Sequence, residues 1–290
     1  MDNNISNLDR AEILTQALPY IKKYTNKIIV VKYGGNAMIN EQLKTQVMED
    51  ITLLSLIGIK IVLVHGGGPE ISDMMNRVGK KAEFVNGLRV TDKETMEIAQ
   101  MVLAGKVNKN LVNLICTKGA KAVGISGMDS RLIEAKTKNE ALGYVGEITN
   151  INIGLINDLL EKGYIPVVST IGCDSEGNSY NINGDTAAAY IAGALQAERL
   201  IMMTDIAGIM RDVNDPSSLI SEITVNDAKK LYEEGVISGG MIPKVDCCIE
   251  AIFEGVKKVI IMDGRVPHSI LVEILTDEGA GTMVVGDKND

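Results

Sequence analysis

The chain has 290 residues, 46% of them hydrophobic, enough for one large or two modest compact domains with a sizeable core. A formal net charge of -9 and the lack of any lysine or arginine run argue against a nucleic-acid partner, so any bound anion must be held by local geometry. The polar start "MDNNISNLDR" does not read as a leader, no apolar stretch is long enough to span a bilayer, and Cys116, Cys173, Cys247 and Cys248 form no CxxC pair. These features predict a cytoplasmic protein with reduced packing thiols, no membrane association and no zinc-type cysteine site.

In chain order, "SNLDRAEILTQALPYIKKY" carries a capping box at Ser6 and Asp9 and an apolar stripe through Leu8, Ala11, Leu14, Leu18 and Ile21, with Pro19 placed to kink the helix. That stripe either covers the chain's own sheet or packs on another subunit. Next come the strand "KIIVVKY" (27–33), a helix through Leu43, Val47, Ile51 and Leu54, the strand "IKIVLVH" (59–65) and a helix after Pro69. "AEFVNGLRVTD" (82–92) predicts a hairpin at its Asn-Gly pair. The alternation resumes with "KAVGIS", the helical "IGLINDLLEKG", the strand "YIPVVST", a helix after Gly184, "RLIMMTD" and "KKVIIMD". Strands that are apolar throughout are those of a buried parallel sheet, which predicts an α/β fold. The polar, turn-rich "GCDSEGNSYNIN" (172–183) places a lobe boundary near residue 175.

Two successive strands end in glycines before a helix, "VVKYGGNAM" (30–38) and "VLVHGGGP". Such loops let backbone N–H groups approach phosphate oxygens, and Lys32 adds a full charge, although each loop alone would serve equally as a tight turn. "NINGDTAAAYIAGAL" (181–195) clusters Asn181, Asn183 and Asp185 at a helix start, which by itself is ordinary capping. "GGMIPK" (239–244) puts Lys244 in the first turn of another helix, an unfavourable place for a cation unless an anion binds nearby. Two lysines on separate loops with an aspartate between them are equipment for phosphoryl transfer. The Walker spacing GxxxxGK[ST] and the dinucleotide spacing GxGxxG are both missing. "HGGG" would also suit an esterase, but the required GxSxG is absent, "GISGM" having methionine at its fifth position.

Taken together, "VVKYGGNAM", "VLVHGGGP", "FVNGLRVTD", "NINGDTAA", "MTDIAGI" and "SGGMIPK" closely resemble the N-acetyl-L-glutamate kinases of the amino acid kinase superfamily, over nearly the whole chain. The resemblance implies a three-layer αβα sandwich around a mainly parallel sheet, with an oligomerisation helix at 1–25, an amino-acid lobe at 26–175 and a nucleotide lobe at 176–290. It implies MgATP and N-acetyl-L-glutamate as substrates, with phosphorylation of the γ-carboxylate for arginine biosynthesis. By the same resemblance Lys32, Lys244 and Asp185 are catalytic, and Gly35, Gly66 and Gly67 hold phosphate oxygens. Gly67, Gly68, Arg89 and Asn181 bind the amino acid, Arg89 through a bidentate pair with its α-carboxylate. Asp205 and Met241 lie at the nucleoside end. The segments at 1–25 and "HSILVEILTDEGAGTMV" (268–284) resemble those of arginine-inhibited hexamers built as trimers of dimers, with His268, Glu273 and Gly279 as effector residues and Arg199 where such members usually carry lysine. A carbamate, aspartate or nucleoside monophosphate kinase, or a non-catalytic arginine sensor, is the alternative. The substrate loop "FVNGLRVTD" favours the acetylated amino acid, and the joint presence of Lys32, Asp185 and Lys244 speaks against a pure sensor.

Overall fold

Strands apolar on both sides need cover on both faces, and the computed structural model, which describes residues 6–38 and 40–287, supplies it. Residues 1–5, the first half of the polar start, and 288–290 at the end of the C-terminal lobe range lie outside that description, as does residue 39 within "VVKYGGNAMIN". The strands in chain order are β1 (Ile28–Tyr33), β2 (Lys60–His65), β3 (Phe84–Val85), β4 (Leu88–Arg89), β5 (Ala122–Ser126), β6 (Ile133–Thr137), β7 (Gly146–Ile151), β8 (Ile165–Ser169), β9 (Ile171–Cys173), β10 (Ser179–Asn181), β11 (Arg199–Thr204), β12 (Glu222–Thr224), β13 (Lys258–Asp263) and β14 (Gly281–Val285). Eight of them form the central sheet in the order β12-β14-β13-β11-β1-β2-β8-β5. Every neighbouring pair in it is parallel except β13 with β14.

The helices are α1 (Asn7–Gln16), α2 (Leu18–Tyr24), α3 (Glu41–Leu56), α4 (Gly68–Arg77), α5 (Lys93–Gln100), α6 (Asn108–Thr117), α7 (Gly154–Glu161), α8 (Gly184–Ala194), α9 (Val225–Glu233), α10 (Ile242–Phe253) and α11 (Ser269–Leu275). Successive strand residues point to opposite faces, so each strand feeds two cores. Val30, Val62, Val64, Leu200 and Ile261 pack with α7, α8 and α10 on one face. Ile29, Val31, Leu63, Ile201 and Ile260 pack with α3, α6 and α11 on the other. Burial of each such side chain contributes roughly 1.5–3 kcal/mol, and the result is the expected three-layer sandwich. The buried face of α8 is almost all alanine (Ala187, Ala188, Ala189, Ala192), which lets that helix lie close to the sheet.

Two pieces of structure went unread in the sequence. β6 and β7 form an antiparallel pair that joins β9 and β10 in a separate four-stranded sheet, so the stretch at 172–183 pairs back on itself instead of running as a loop. Between α5 and α6 the chain runs as a π-helix over Met101–Val107. The Asn-Gly hairpin forms as expected, with Asn86 and Gly87 both at positive φ between β3 and β4. At the start of α1, Ser6 Oγ accepts from Asp9 N and Asp9 Oδ2 from Ser6 N, each at 3.1 Å, and the helix breaks before Pro19. Leu8, Leu14 and Leu18 are 77%, 74% and 65% exposed, so that stripe does not cover the chain's own sheet.

Candidate active site

Lys32 is the fifth residue of β1, His65 ends β2, and Asp205 follows β11 directly, so three adjacent parallel strands deliver their loops to one carboxyl edge. That edge is where α/β sheets bind ligands, because the following helices open away from it and present their amide ends. Across it, Asn183 caps α8 by accepting from Asp185 N at 2.9 Å and Thr186 N at 3.1 Å, which fixes the backbone that carries Asp185. The Asp185 carboxylate lies 2.9 Å from Lys32 Nζ through Oδ1 and 3.1 Å from Lys244 Nζ through Oδ2. Burial pushes this carboxyl up, but the two ammonium groups outweigh it and hold the group below the usual carboxylate range. The trio therefore carries one net positive charge at neutral pH.

A polar cavity of about 170 Å³ opens on one side, lined by Gly66, Gly67, Gly68, Arg89, Asn181 and Gly184 among others. Arg89 is nearly buried, and burial lowers its pKa. Its Nη2 donates to the Gly68 carbonyl and to Ser72 Oγ, both at 2.8 Å, while Phe84 stacks on the guanidinium 4.7 Å from the ring centre. Arg89 thus ties the hairpin to the first turn of α4, and a bidentate grip through Nη2 requires one of these bonds to be exchanged. Asn181 Nδ2 reaches Thr91 Oγ1 at 3.4 Å, next to the same wall.

Gly67 and Gly68 occupy the cap and first residue of α4, where amides have no intrahelical acceptor. A Cβ on Gly67 would meet Leu103 Cδ2 at 2.7 Å and Val107 Cγ2 at 3.3 Å, so the loop packs closely on the π-helix and a larger residue would force these side chains to shift. Gly66 differs from the expectation that its amide serves phosphate: its N–H donates to the Tyr33 carbonyl at 3.3 Å. On the other side of the trio a cavity of about 390 Å³ is lined by Lys32, Gly35, Asp205, Met241 and Lys244, with Met203, Ile206, Ile209, Met210 and Val236 among its apolar walls. The two cavities meet at Lys32, since a Cβ on Gly184 would lie 3.6 Å from Lys32 Cε and 3.9 Å from Gly66. The residues expected for substrate, phosphate and nucleotide line these two neighbouring cavities together with Lys32 and Lys244, and Asp185 joins the two lysines.

Residues 27–263 match the model of the amino acid kinase family. The chain belongs to the amino acid kinase family. It is 54% identical to an acetylglutamate kinase of Heliobacterium modesticaldum, over 96% of this chain and 98% of that protein. An acetylglutamate kinase of Clostridium beijerinckii is 55% identical over 97% of this chain and 99% of its own length. Among solved structures, N-acetylglutamate synthase from Neisseria gonorrhoeae, complexed with coenzyme A and N-acetyl-glutamate, superposes with a TM-score of 0.83 at 26% identity, covering 96% of this chain and 63% of the synthase. With relatives of this closeness, the chain is a kinase, a phosphotransferase.

The residues expected to hold arginine sit apart from this site, His268 capping α11, Glu273 on it and Gly279 in the turn after it. His268 Nδ1 bonds Asp50 Oδ1 at 2.6 Å. Glu273 is buried, paired with the chain's own Arg199 and accepting from Ala280 N at 2.9 Å. Arg199 in turn stacks on Tyr24 of α2, 5.2 Å from the ring centre. Ser72, the apolar walls of the larger cavity and the buried His65 were not singled out in the sequence, where nothing but fold context marks them.

His65 is fully buried, and burial drives its pKa down from 6.5 to about 4, so it is neutral in the folded enzyme. Unfolded, the imidazole titrates at its ordinary value, and between about pH 4 and 6.5 the unfolded chain binds the extra proton. Stability from this group is complete above that window and is lost as pH falls through it. Denaturant titrations across the window are expected to show a shallower loss for His65→Asn than for the wild type, and equal slopes would contradict neutral burial.

Proposed function

We propose that this kinase transfers the γ-phosphoryl group of MgATP to the γ-carboxylate of N-acetyl-L-glutamate, giving an acyl phosphate and ADP, the activation step that arginine biosynthesis needs. The observation that carries it is Asp185 bridging Lys32 and Lys244 where the smaller polar cavity meets the larger apolar one. The names of its relatives support the choice of amino acid, and the synthase with bound N-acetyl-glutamate is consistent with it. In this reading residues 26–175 form the amino-acid lobe and residues 176–290 the nucleotide lobe, with Asp205, Met241 and the apolar walls against the nucleoside.

The attacking carboxylate is already ionised at neutral pH, so no general base is needed. Its oxygen forms the new bond to the γ-phosphorus while the bond to the β–γ bridging oxygen breaks, and the electron pair leaves with ADP. Charge accumulates on the oxygens of the phosphoryl in flight and on the bridge. Lys32 and the amides of Gly35, Gly67 and Gly68 face the first, and Lys244 faces the second. Asp185 keeps both ammonium groups aimed inward when no phosphate is present, and Arg89 with Asn181 holds the amino acid's α-carboxylate end. Mg²⁺ enters as part of the nucleotide substrate.

The exposed stripe of α1 supports assembly into a hexamer, as a trimer of dimers, through residues 1–25. Arginine would inhibit from a site around His268, Glu273 and Gly279. Because Arg199 already pairs with Glu273, an incoming guanidinium has to displace it or share the carboxylate. Such a site acts on catalysis only by favouring one of two conformations of the enzyme.

Trapping the acyl phosphate as a hydroxamate tests the reaction: product is expected with N-acetyl-L-glutamate and MgATP, and turnover of carbamate or aspartate in its place would refute the assignment. Lys32→Ala is expected to lower kcat by roughly 10²–10³, while Arg89→Ala mainly raises KM for the amino acid. For assembly, sedimentation of the intact chain is expected to give hexamers, and removal of residues 1–24 active dimers without a steep arginine response. An intact chain that sediments as a dimer, indifferent to arginine, would remove both the hexamer and the effector site.

A further inference from the structure

The reaction as described makes no use of His65 or Asn108, although both are completely buried beside the glycine loop. His65 Nδ1 lies 2.8 Å from the Gly66 carbonyl, which can only accept, so Nδ1 carries the proton. Nε2 is then an acceptor, and Asn108 Nδ2 donates to it at 3.1 Å. The same Nδ2 donates to the Val167 carbonyl at 2.8 Å, with Ile125 O a weaker third acceptor at 3.3 Å, while Asn108 Oδ1 accepts from Lys109 Nζ at 3.2 Å. These partners leave the Asn108 amide one orientation, and that orientation leaves His65 one tautomer. β5 is shaped to admit it, since a Cβ on Gly124 would overlap Asn108 Oδ1 at 1.8 Å.

The Gly66 carbonyl and the Gly67 N–H belong to one trans peptide, so they point in opposite directions. With the oxygen held toward buried His65, the N–H faces the other way, toward the cavity that Gly67 lines. Asn108 follows the π-helix Met101–Val107, whose Leu103 and Val107 also pack against the place a Gly67 Cβ would take. Asn108, the first residue after this π-helix, points inward to the end of β2 and to Ile125 O of β5 and Val167 O of β8.

We propose that Asn108 and His65 are positioning residues for phosphoryl transfer: Asn108 sets the His65 tautomer, His65 fixes the Gly66 carbonyl, and the Gly67 N–H is thereby aimed at the transferring phosphoryl oxygens. The role rests on the phosphoryl-transfer reading of this site, and the geometry stands apart from it. It requires a loss in kcat when the chain of donors is cut, with KM for both substrates little changed, because an amide aimed at charge developing in the transition state contributes mainly there.

Nitrogen-15 spectra of the labelled wild-type enzyme read the tautomer directly, and with only two histidines in the chain the resonances of His65 and His268 are readily assigned. The expected signature near neutral pH is a neutral His65 protonated at Nδ1; protonation at Nε2 would overturn the proposal without any variant. His65→Leu fills the space without a donor and is expected to lower kcat by about 10–10²-fold, with KM within about threefold. His65→Asn restores an N–H near the position of Nδ1 and is expected to recover at least about tenfold of that loss. Asn108→Ala, assayed in parallel, is expected to lower kcat and to disturb the His65 signature, which keeps the test open if His65→Leu does not fold. Equal kcat for His65→Leu and His65→Asn, or a normal kcat in Asn108→Ala, refutes a positioning role. A wild-type enzyme that makes no acyl phosphate would instead refute the proposed reaction, while the tautomer would still report on the geometry.

Discussion

One carboxylate holding two ammonium groups is the constraint on which the site is built. Asp185, Lys32 and Lys244 come from α8, β1 and α10, and the 2.9 Å and 3.1 Å contacts require those three elements to stay in register at the carboxyl edge of the sheet. A buried Asp alone would be driven toward its neutral form, and buried lysines alone would repel one another. Together they offset one another, yet retain a net positive charge for an incoming phosphate.

The fold supplies that register through packing. The alanine face of α8 brings Asp185 down to the sheet, and the valine and isoleucine faces of β1, β2 and β11 fix the strands whose ends hold Lys32, the glycine loop and Asp205. Arg89 stitches the hairpin to α4 through Gly68 O and Ser72, and His65 stitches the glycine loop to α6 through Asn108. Lys32, Lys244, Arg89 and His65 are thus each anchored by a fixed partner, which is how a loop-built site obtains fixed geometry.

Much of this was legible in the sequence because it rests on local chemistry. Apolar runs ending in glycines give a strand, a tight turn and an amide-lined helix start whatever the rest of the chain does, and Asn-Gly gives its hairpin at 86–87. Lys32, Asp185 and Lys244 stood out because charges at the ends of buried elements need a reason. The Asn108–His65 contact was not legible, since it depends on partners far away in the chain; Asn108 reads as an ordinary polar helical residue until β2, β5 and β8 close around it, whereas the β6–β7 pair and the π turns at 101–107 are local and were not singled out. The pairing of Glu273 with Arg199 was likewise invisible, because two residues 74 apart in sequence carry no signal that they meet.

The central claim, that one carboxylate organises both lysines for transfer, is tested most directly by steady-state kinetics of Asp185→Asn, a change close to isosteric that removes only the charge. The account predicts a fall in kcat of roughly 10²–10³ with KM for the amino acid substrate little altered, because the cavity around Arg89 and Asn181 stays intact. A variant that folds as the wild type does and keeps kcat within about tenfold of it would contradict the account.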